Sequence, residues 1–541
     1  MTRRFSDRLK EPHVLVGIAV FAFTLLFALY TRHAWEDWYI TFRPAKNLAT
    51  GHGLVYNEGE RVHTFTSVIG TLLPALLSFL TFNVSDDLTL WLFRICCAAA
   101  LGVSAGLLAR LSRKWFAGLV PAVLLVGGLG LDAKAVDFSI NGMETPFTLL
   151  ALSLFLHFVT VHSPRDLGVR LGVVWALLQY TRPDGFLYAL LLMAGMFFFL
   201  PERKELPRAL AISCATGALL FAPWFLFATW YYGSAVPHSL VAKRVWTEHE
   251  GITYYFDHAV SFVRSLLLFQ SSAADAVFTP PYAPNFRSLP PALIVSRILG
   301  TFAACVWISP KVPAAGRMAS FAFLGYLSYL AIFTPLIYPW YVPGATLLAL
   351  VSLAFAVDAA VRSPAFQAQS SFLRNFPKAF TAFILLYALF QTAVSADQFR
   401  FAQKAIEDGQ RRRIGEWLKA NSASPRETVF LECAGYIGFY SGLKLYDYPG
   451  MTSPETVAAR RTLNSEDFLP LVRRLRPDWL VLRPEEGELA GMWQRDSMFL
   501  KENYRVMMTF DATAAIREKS FKPFGRYFTH DSRFVVVRRI L

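Results

Sequence analysis

Over the first 395 residues the chain alternates long apolar blocks with short polar, often basic, connectors. A helix that crosses a bilayer needs about 17 to 25 mainly apolar residues. Blocks at 14–31, 88–110, 115–131, 145–162, 208–231, 291–309, 318–335, 341–361 and 379–395 predict such helices. Two shorter blocks, 168–181 and 185–200, flank Thr181-Arg-Pro-Asp-Gly and read as a helix pair turning at that motif. The block 68–83 is ambiguous. Taken as interfacial or re-entrant, it leaves about eleven transmembrane helices and puts the basic clusters at 110–114, 165–170, 201–208, 311–317 and 362–378 on the cytoplasmic side. The outer segments are then 32–87, 132–144, the TRPDG turn, 232–290 and 336–340. Two of these are long, and long structured segments on one side suggest a roof over a cavity.

After Ala396 the pattern changes. Charge rises and the apolar runs shorten to strand length, as in TVFLEC, DWLVLRP and RFVVVRRI, with helical stretches such as AIEDGQRRRIGEWLKA between them. The reading is a polytopic α-helical membrane domain, 1–395, with outer loops 32–87 and 232–290, followed by a periplasmic α/β cap domain, 396–541. The basic start MTRRFSDRLKEPH before an apolar run without a small-residue cleavage pattern predicts an uncleaved first helix and a cytoplasmic amino terminus.

Composition agrees: 54% of the 541 residues are hydrophobic and 17% charged. The mean hydropathy of +0.37 is too apolar for a soluble enzyme of this length. A net charge of +14 would suit nucleic acid, but the Lys and Arg cluster between apolar spans, where they orient helices, so no nucleic-acid partner is expected. Cys96, Cys97, Cys214 and Cys305 lie in apolar spans and only Cys433 in a polar region, which excludes a disulfide framework outside the membrane. No Walker A, HExxH or CxxC pattern occurs, so energy must come from an activated substrate or a gradient.

Candidate chemistry gathers on the outer face. Glu36 and Asp37 stand at the end of the first span, where a partly desolvated carboxylate can act as a general base; the pair can equally mark a helix end. Arg43, Lys46, His52, His63, Arg182, His238 and Lys243 form a set of donors suited to a phosphate, or to lipid headgroups and nearby acids. Asn141-Gly-Met-Glu144 and Arg182-Pro-Asp184 put charges into short turns, for catalysis or for ion pairing between loops. Tyr338 and Trp340 of the turn 336–340 join them as substrate-binding candidates.

The segment EDWYITFRPAKNLATGHGLVYNEGERVHTF at 36–65 resembles the first-loop signature of bacterial polytopic glycosyltransferases of the GT-C fold, including the mycobacterial arabinofuranosyltransferase B type. NGMETPFTLLAL, TRPDG, PHSLVAK and AGYIGFYSGLKLYDYPGMTSP follow in the family's order. The resemblance implies a sugar donor on a polyprenyl phosphate and an acceptor glycan, lipid or protein at the outer face of the inner membrane. It implies an inverting single displacement, with Glu36 or Asp37 as catalytic base and Arg43, Lys46 and Asn47 in the substrate-binding motif. His63 stands where the family pattern has an acid, and His238 where it has Asn. A divalent cation stays open, since some GT-C enzymes need one, although no oxygen-ligand loop is visible. The alternative is a transporter or flippase, or a polymerase or ligase, of lipid-linked saccharides; a transporter would call for mid-helix acids and internal repeats, which the sequence lacks.

Overall fold

The structure, a computed structural model, describes every residue except 1–10, 202–203, 249, 286, 335, 464–466, 490–497 and 541. Residues 1–10 of the basic amino-terminal stretch and Glu202 and Arg203 of the cluster at 201–208 thus lie outside the described residues. The chain forms two compact units, each drawn from three stretches.

The first unit comprises Met1–Tyr30, Arg94–Pro223 and Gly251–Asp397 and is helical. Each of the nine long apolar blocks read from the sequence contains a helix, with breaks such as 116–118 inside block 115–131, and seven helices among the described residues are long and apolar enough to cross a bilayer. Others are shorter. Leu119–Gly130 has 12 residues, a rise of about 18 Å against a hydrocarbon core of about 30 Å. Helix Pro343–Arg362 is buried from Pro343 through Phe355, as expected of a helix apolar on all sides at the centre of a bundle. Pro12–Thr31 meets Asp86–Trp115 through glycine: a Cβ on Gly17 would stand 2.8 Å from the Gly102 carbonyl, and one on Gly106 3.1 Å from that of His13. Small residues four apart let the two backbones touch, the usual way to bind helices where lipid removes the hydrophobic drive.

The stretch read as outer loop 232–290 contains the helices His238–Arg244 and Ile252–Leu267. On the latter, Ile252, Phe256, Val260, Val263 and Leu267 recur at helical spacing and are all exposed, which makes an apolar stripe suited to a membrane interface.

The second unit comprises Thr31–Phe93, Trp224–Glu250 and Gln398–Leu541. Its sheet has five strands, β1 (Thr428–Leu431), β2 (Lys444–Asp447), β3 (Trp479–Leu482), β4 (Tyr504–Asp511) and β5 (Arg533–Arg539), in the order β2-β1-β3-β5-β4. β1 pairs in parallel with β2 and β3, while β5 runs antiparallel to β3 and β4. Successive strand residues point to opposite faces. Val429, Leu431, Trp479, Val481, Phe534 and Val536 pack with Ile40, Tyr56, Ile414 and Ile437 on one side. Phe430, Leu480, Leu482, Val535 and Val537 pack with Phe468, Leu471 and Leu500 on the other. Both faces are covered, which explains why the central strands read as continuous apolar runs.

Two glycines of the AGYIGFYSG motif are explained by close approach. A Cβ at Gly435 would collide with the Glu36 backbone carbonyl, and one at Gly438 with the Tyr56 hydroxyl and, at 2.6 Å, with Leu445 Cδ1. Gly438→Ala is therefore expected to destabilise this unit by about 1–3 kcal/mol, read as a lowered unfolding midpoint. An unchanged midpoint would show that the Tyr56 hydroxyl, which donates to Ala434 O at 2.6 Å, moves aside at no cost.

Candidate active site

Helix Glu36–Ala49 carries the acids, two of the donors singled out from the sequence, Arg43 and Lys46, and Asn47. It starts after extended Trp35, and Glu36 and Asp37 fill its first turn, where the positive end of the helix dipole favours carboxylates. It ends at Thr50, followed by Gly51 and Gly53 at φ +87° and +89°, so the Gly-His-Gly step is a left-handed turn leaving the helix.

The Glu36 carboxylate is held at both oxygens. Oε1 accepts from the Gly435 N–H at 2.7 Å, and Oε2 lies 3.4 Å from Arg411 Nη1. Burial pushes this carboxyl above its ordinary value, and Arg411 and the Gly435 N–H oppose that only in part. Arg411 also bonds Glu407 at 2.8 Å and Asp531 at 2.9 Å. Asp531 shares its other oxygen with Arg483 Nε at 2.8 Å, and Arg483 reaches Glu432 at 2.9 Å and Glu486 at 2.6 Å. The two guanidinium groups hold Asp531 down at about 2. Arg411 and Glu407 come from a π-helical stretch, Gln403–Arg412, a conformation common at functional positions. Sequence reasoning missed this network; its one local signal was the Arg411-Arg412-Arg413 run. Asp37, half-buried, follows Glu36 on the helix and so projects about 100° around the axis from it.

The donors on this helix sit well away from the acids. Arg43 donates to the carbonyls of Gly438 (2.8 Å), Gly442 (3.1 Å) and Leu443 (3.0 Å), satisfying the end of helix Tyr436–Ser441, and stacks over Tyr56. Lys46 pairs with Asp86 at 2.7 Å, and Asn47 donates to Val55 O at 2.8 Å. At 1.5 Å of rise per residue, Lys46 stands about 14 Å along the helix from Asp37. His52 bonds Thr50 at 3.0 Å and lies 3.7 Å from Glu58.

His63 and His238 are neighbours: the His238 N–H donates to His63 O at 2.7 Å. The His63 ring stacks on Tyr232 at 4.7 Å and meets Trp224 edge-on. Burial lowers its pKa to about 4, so it is neutral at physiological pH. Burial likewise lowers that of His238. Lys243 lies on His238–Arg244, half-buried.

In the first unit, Glu144, Arg182 and Asp184 do come together. Arg182 bonds Asp184 at 2.9 Å and lies 3.8 Å from Glu144 and over the Tyr341 ring, while Tyr326 donates to Asp184 at 2.7 Å. The Arg182–Asp184 pair lies within one turn, and the Arg182–Glu144 approach joins two. Tyr338 and Trp340 stack at 4.6 Å. Lys134, which the sequence reading passed over, is buried on the short helix Ala133–Asp137, donates to Thr279 O, and has its pKa lowered by burial to about 8. No group of three or more His, Cys, Asp or Glu placed to hold a metal ion occurs among the described residues.

Residues 398–534 match a family described as Domain of unknown function (DUF8728). The terminal β-(1→2)-arabinofuranosyltransferase of Corynebacterium glutamicum is 30% identical over 227 residues, covering 38% of this chain and 32% of the relative. That of Mycobacterium tuberculosis is 25% identical over 319 residues, covering 50% and 48%. The chain thus spans between about a third and a half of the length of these curated relatives. Among solved structures, Archaeoglobus fulgidus oligosaccharyltransferase AglB, in complex with an inhibitory peptide and a dolichol-phosphate, aligns with a TM-score of 0.54 at 13% identity, over 92% of this chain and 73% of that one. Cupriavidus metallidurans ArnT bound to undecaprenyl phosphate aligns with a TM-score of 0.52 at 12% identity, over 97% of both chains. The fold is GT-C. In this GT-C chain the matched DUF8728 segment takes in the π-helical stretch and four strands whole, with β5 begun at its end. Helix Glu36–Ala49 lies outside it.

Proposed function

We propose that this chain is a glycosyltransferase that moves a sugar from a polyprenyl-phosphate carrier to a glycan, lipid or protein acceptor at the outer face of the bacterial inner membrane, with inversion at the anomeric carbon. The observation that carries this reading is the acidic first turn of Glu36–Ala49 within a GT-C fold. The names of the partial relatives make arabinofuranose the first sugar to test. Asp37, the half-buried second acid of that turn, is assigned the general base. Its carboxylate takes the proton of the acceptor hydroxyl as that oxygen bonds to the anomeric carbon, and the carbon–oxygen bond to the carrier phosphate breaks with its electron pair. Lys243, in the same unit, is assigned the departing phosphate. Glu36 positions the helix that carries Asp37.

Membranes containing the protein, given radiolabelled polyprenyl-phosphate arabinofuranose, are expected to pass label to an acceptor. Absence of transfer from that donor and from other polyprenyl-phosphate sugars would overturn the reading. A tag at residue 541 is expected to be accessible from the periplasm and one at residue 1 not. The reverse labelling would put the acids in the cytoplasm and end the proposed topology.

A further inference from the structure

A cavity of about 750 Å³ in the second unit opens beside the far end of helix Glu36–Ala49, on the side of Lys46 and Asn47, and plays no part in the mechanism above. Its size is that of a pocket for a small organic ligand, larger than one phosphate needs. Five cations and three carboxylates line it, Glu58, Glu60 and Asp86 being the acids. The acids argue against a simple anion site, because a phosphate would be repelled by each of them.

The cations divide into two kinds. Arg43, Lys46 and Lys444 are spent on the fold, the last bonding Glu60 at 2.5 Å and Glu455 at 2.6 Å. Lys419 and Arg426 are exposed at the rim and make no side-chain ion pair among the described residues. Asn57, only 6% exposed, also lines the cavity, and its Nδ2 donates to Glu60 at 3.0 Å. Its Oδ1 is buried without a hydrogen-bond partner among the described residues. A buried acceptor left unbonded keeps the cost of its lost hydration, so it calls for a ligand that donates. Phosphate at neutral pH mainly accepts; a hydroxyl does both. Phe439 and Tyr440 add aromatic surface beside these groups.

We infer that this cavity is a saccharide-binding subsite that holds the acceptor glycan. Sugar hydroxyls would donate to Asn57 Oδ1 and to the carboxylates and accept from Lys419 and Arg426, with a C–H face of the sugar against the aromatic rings. The inference rests on the glycosyltransferase reading for the word acceptor, but the binding site itself does not. Placed about a helix length from Asp37, the subsite would grip the glycan several residues back from the hydroxyl that reacts.

The test uses the full-length protein in nanodiscs without donor, with a short arabino-oligosaccharide as probe, inorganic phosphate as competitor, and saturation-transfer NMR as readout. Binding by the wild type is expected, insensitive to millimolar phosphate. Lys419→Ala and Arg426→Ala, both at exposed positions, are expected to weaken binding about ten-fold each, with unfolding midpoints unchanged. In transfer assays the same variants are expected to raise the acceptor KM by a similar factor while the donor KM holds. Binding that is unaltered in both variants, or displaced by phosphate, overturns the subsite. So does transfer by the wild type to an oligosaccharide that never contacts this cavity. Oligosaccharide bound here without any transfer from lipid-linked donors leaves the subsite standing and removes the catalytic reading instead.

Discussion

Asp37→Asn is expected to lower sugar transfer by a factor of about 10² to 10⁴, the usual contribution of a general base, while the donor still binds and the protein still folds. The residue beside it should behave differently. Glu36→Gln keeps an oxygen for the Gly435 N–H and loses only the charge facing Arg411, so a fall of less than about ten-fold is expected. The two variants are compared with radiolabelled donor in the same membranes, with expression and unfolding midpoint as controls. If Glu36→Gln abolishes transfer and Asp37→Asn turns over fully, the roles are reversed. Full turnover by both removes the base from this turn.

Asp531→Asn is expected to destabilise the second unit by about 3 kcal/mol, because it leaves Arg411 and Arg483 in a buried site without the carboxylate they share. The same carboxylate gives stability a pH dependence of definite sign. Its folded value of about 2 lies below the ordinary 3.8, so its contribution is complete above about pH 4 and is lost as pH falls through 2. Hydrogen exchange of amides in 403–412 and 533–537 should therefore quicken in the variant at pH 7, and the gap between variant and wild type should close at the acid end. Asp511→Asn is the control: that residue faces Arg533 at 3.9 Å on the surface, where ion pairs are worth about 0–1 kcal/mol. Equal exchange in the Asp531 variant and the wild type would show that Glu407, Glu432 and Glu486 suffice to hold both guanidinium groups.

What could be read in advance followed the range of the forces involved. Apolar blocks declare themselves locally, and so did β1, β3 and β5, whose runs TVFL, WLVL and RFVVVRR are buried on both faces. β4 was missed because its YRVMMTFD is largely exposed at the sheet edge, and β2 because KLYD is short and half polar. The acids of helix Glu36–Ala49 were legible as chemistry in an unusual place, but their partners were not. Gly435 lies 399 residues from Glu36, and Arg411 lies 375 away. Arg43 shows the same limit from the other direction: a cation in a motif looks like a ligand-binding group until the carbonyls of residues 438–443 are seen around it. Arg182, by contrast, has one acid two residues away, and the pairing was foreseeable.

The mixed origin of the second unit bears on how it can be produced. Ile40 and Tyr56 belong to the same apolar cluster as β1 and β3, and Glu36 caps the Gly435 turn, yet they precede that segment by hundreds of residues with membrane helices between. A polypeptide beginning at residue 396 would emerge from the ribosome with every strand present and one wall missing. Its Val429 and Ile437 side would meet water and Arg411 would lose one of its acids, so such a fragment should be recovered as aggregate. Supplying 31–93 in trans or through a short fused linker is the route by which it could be made soluble.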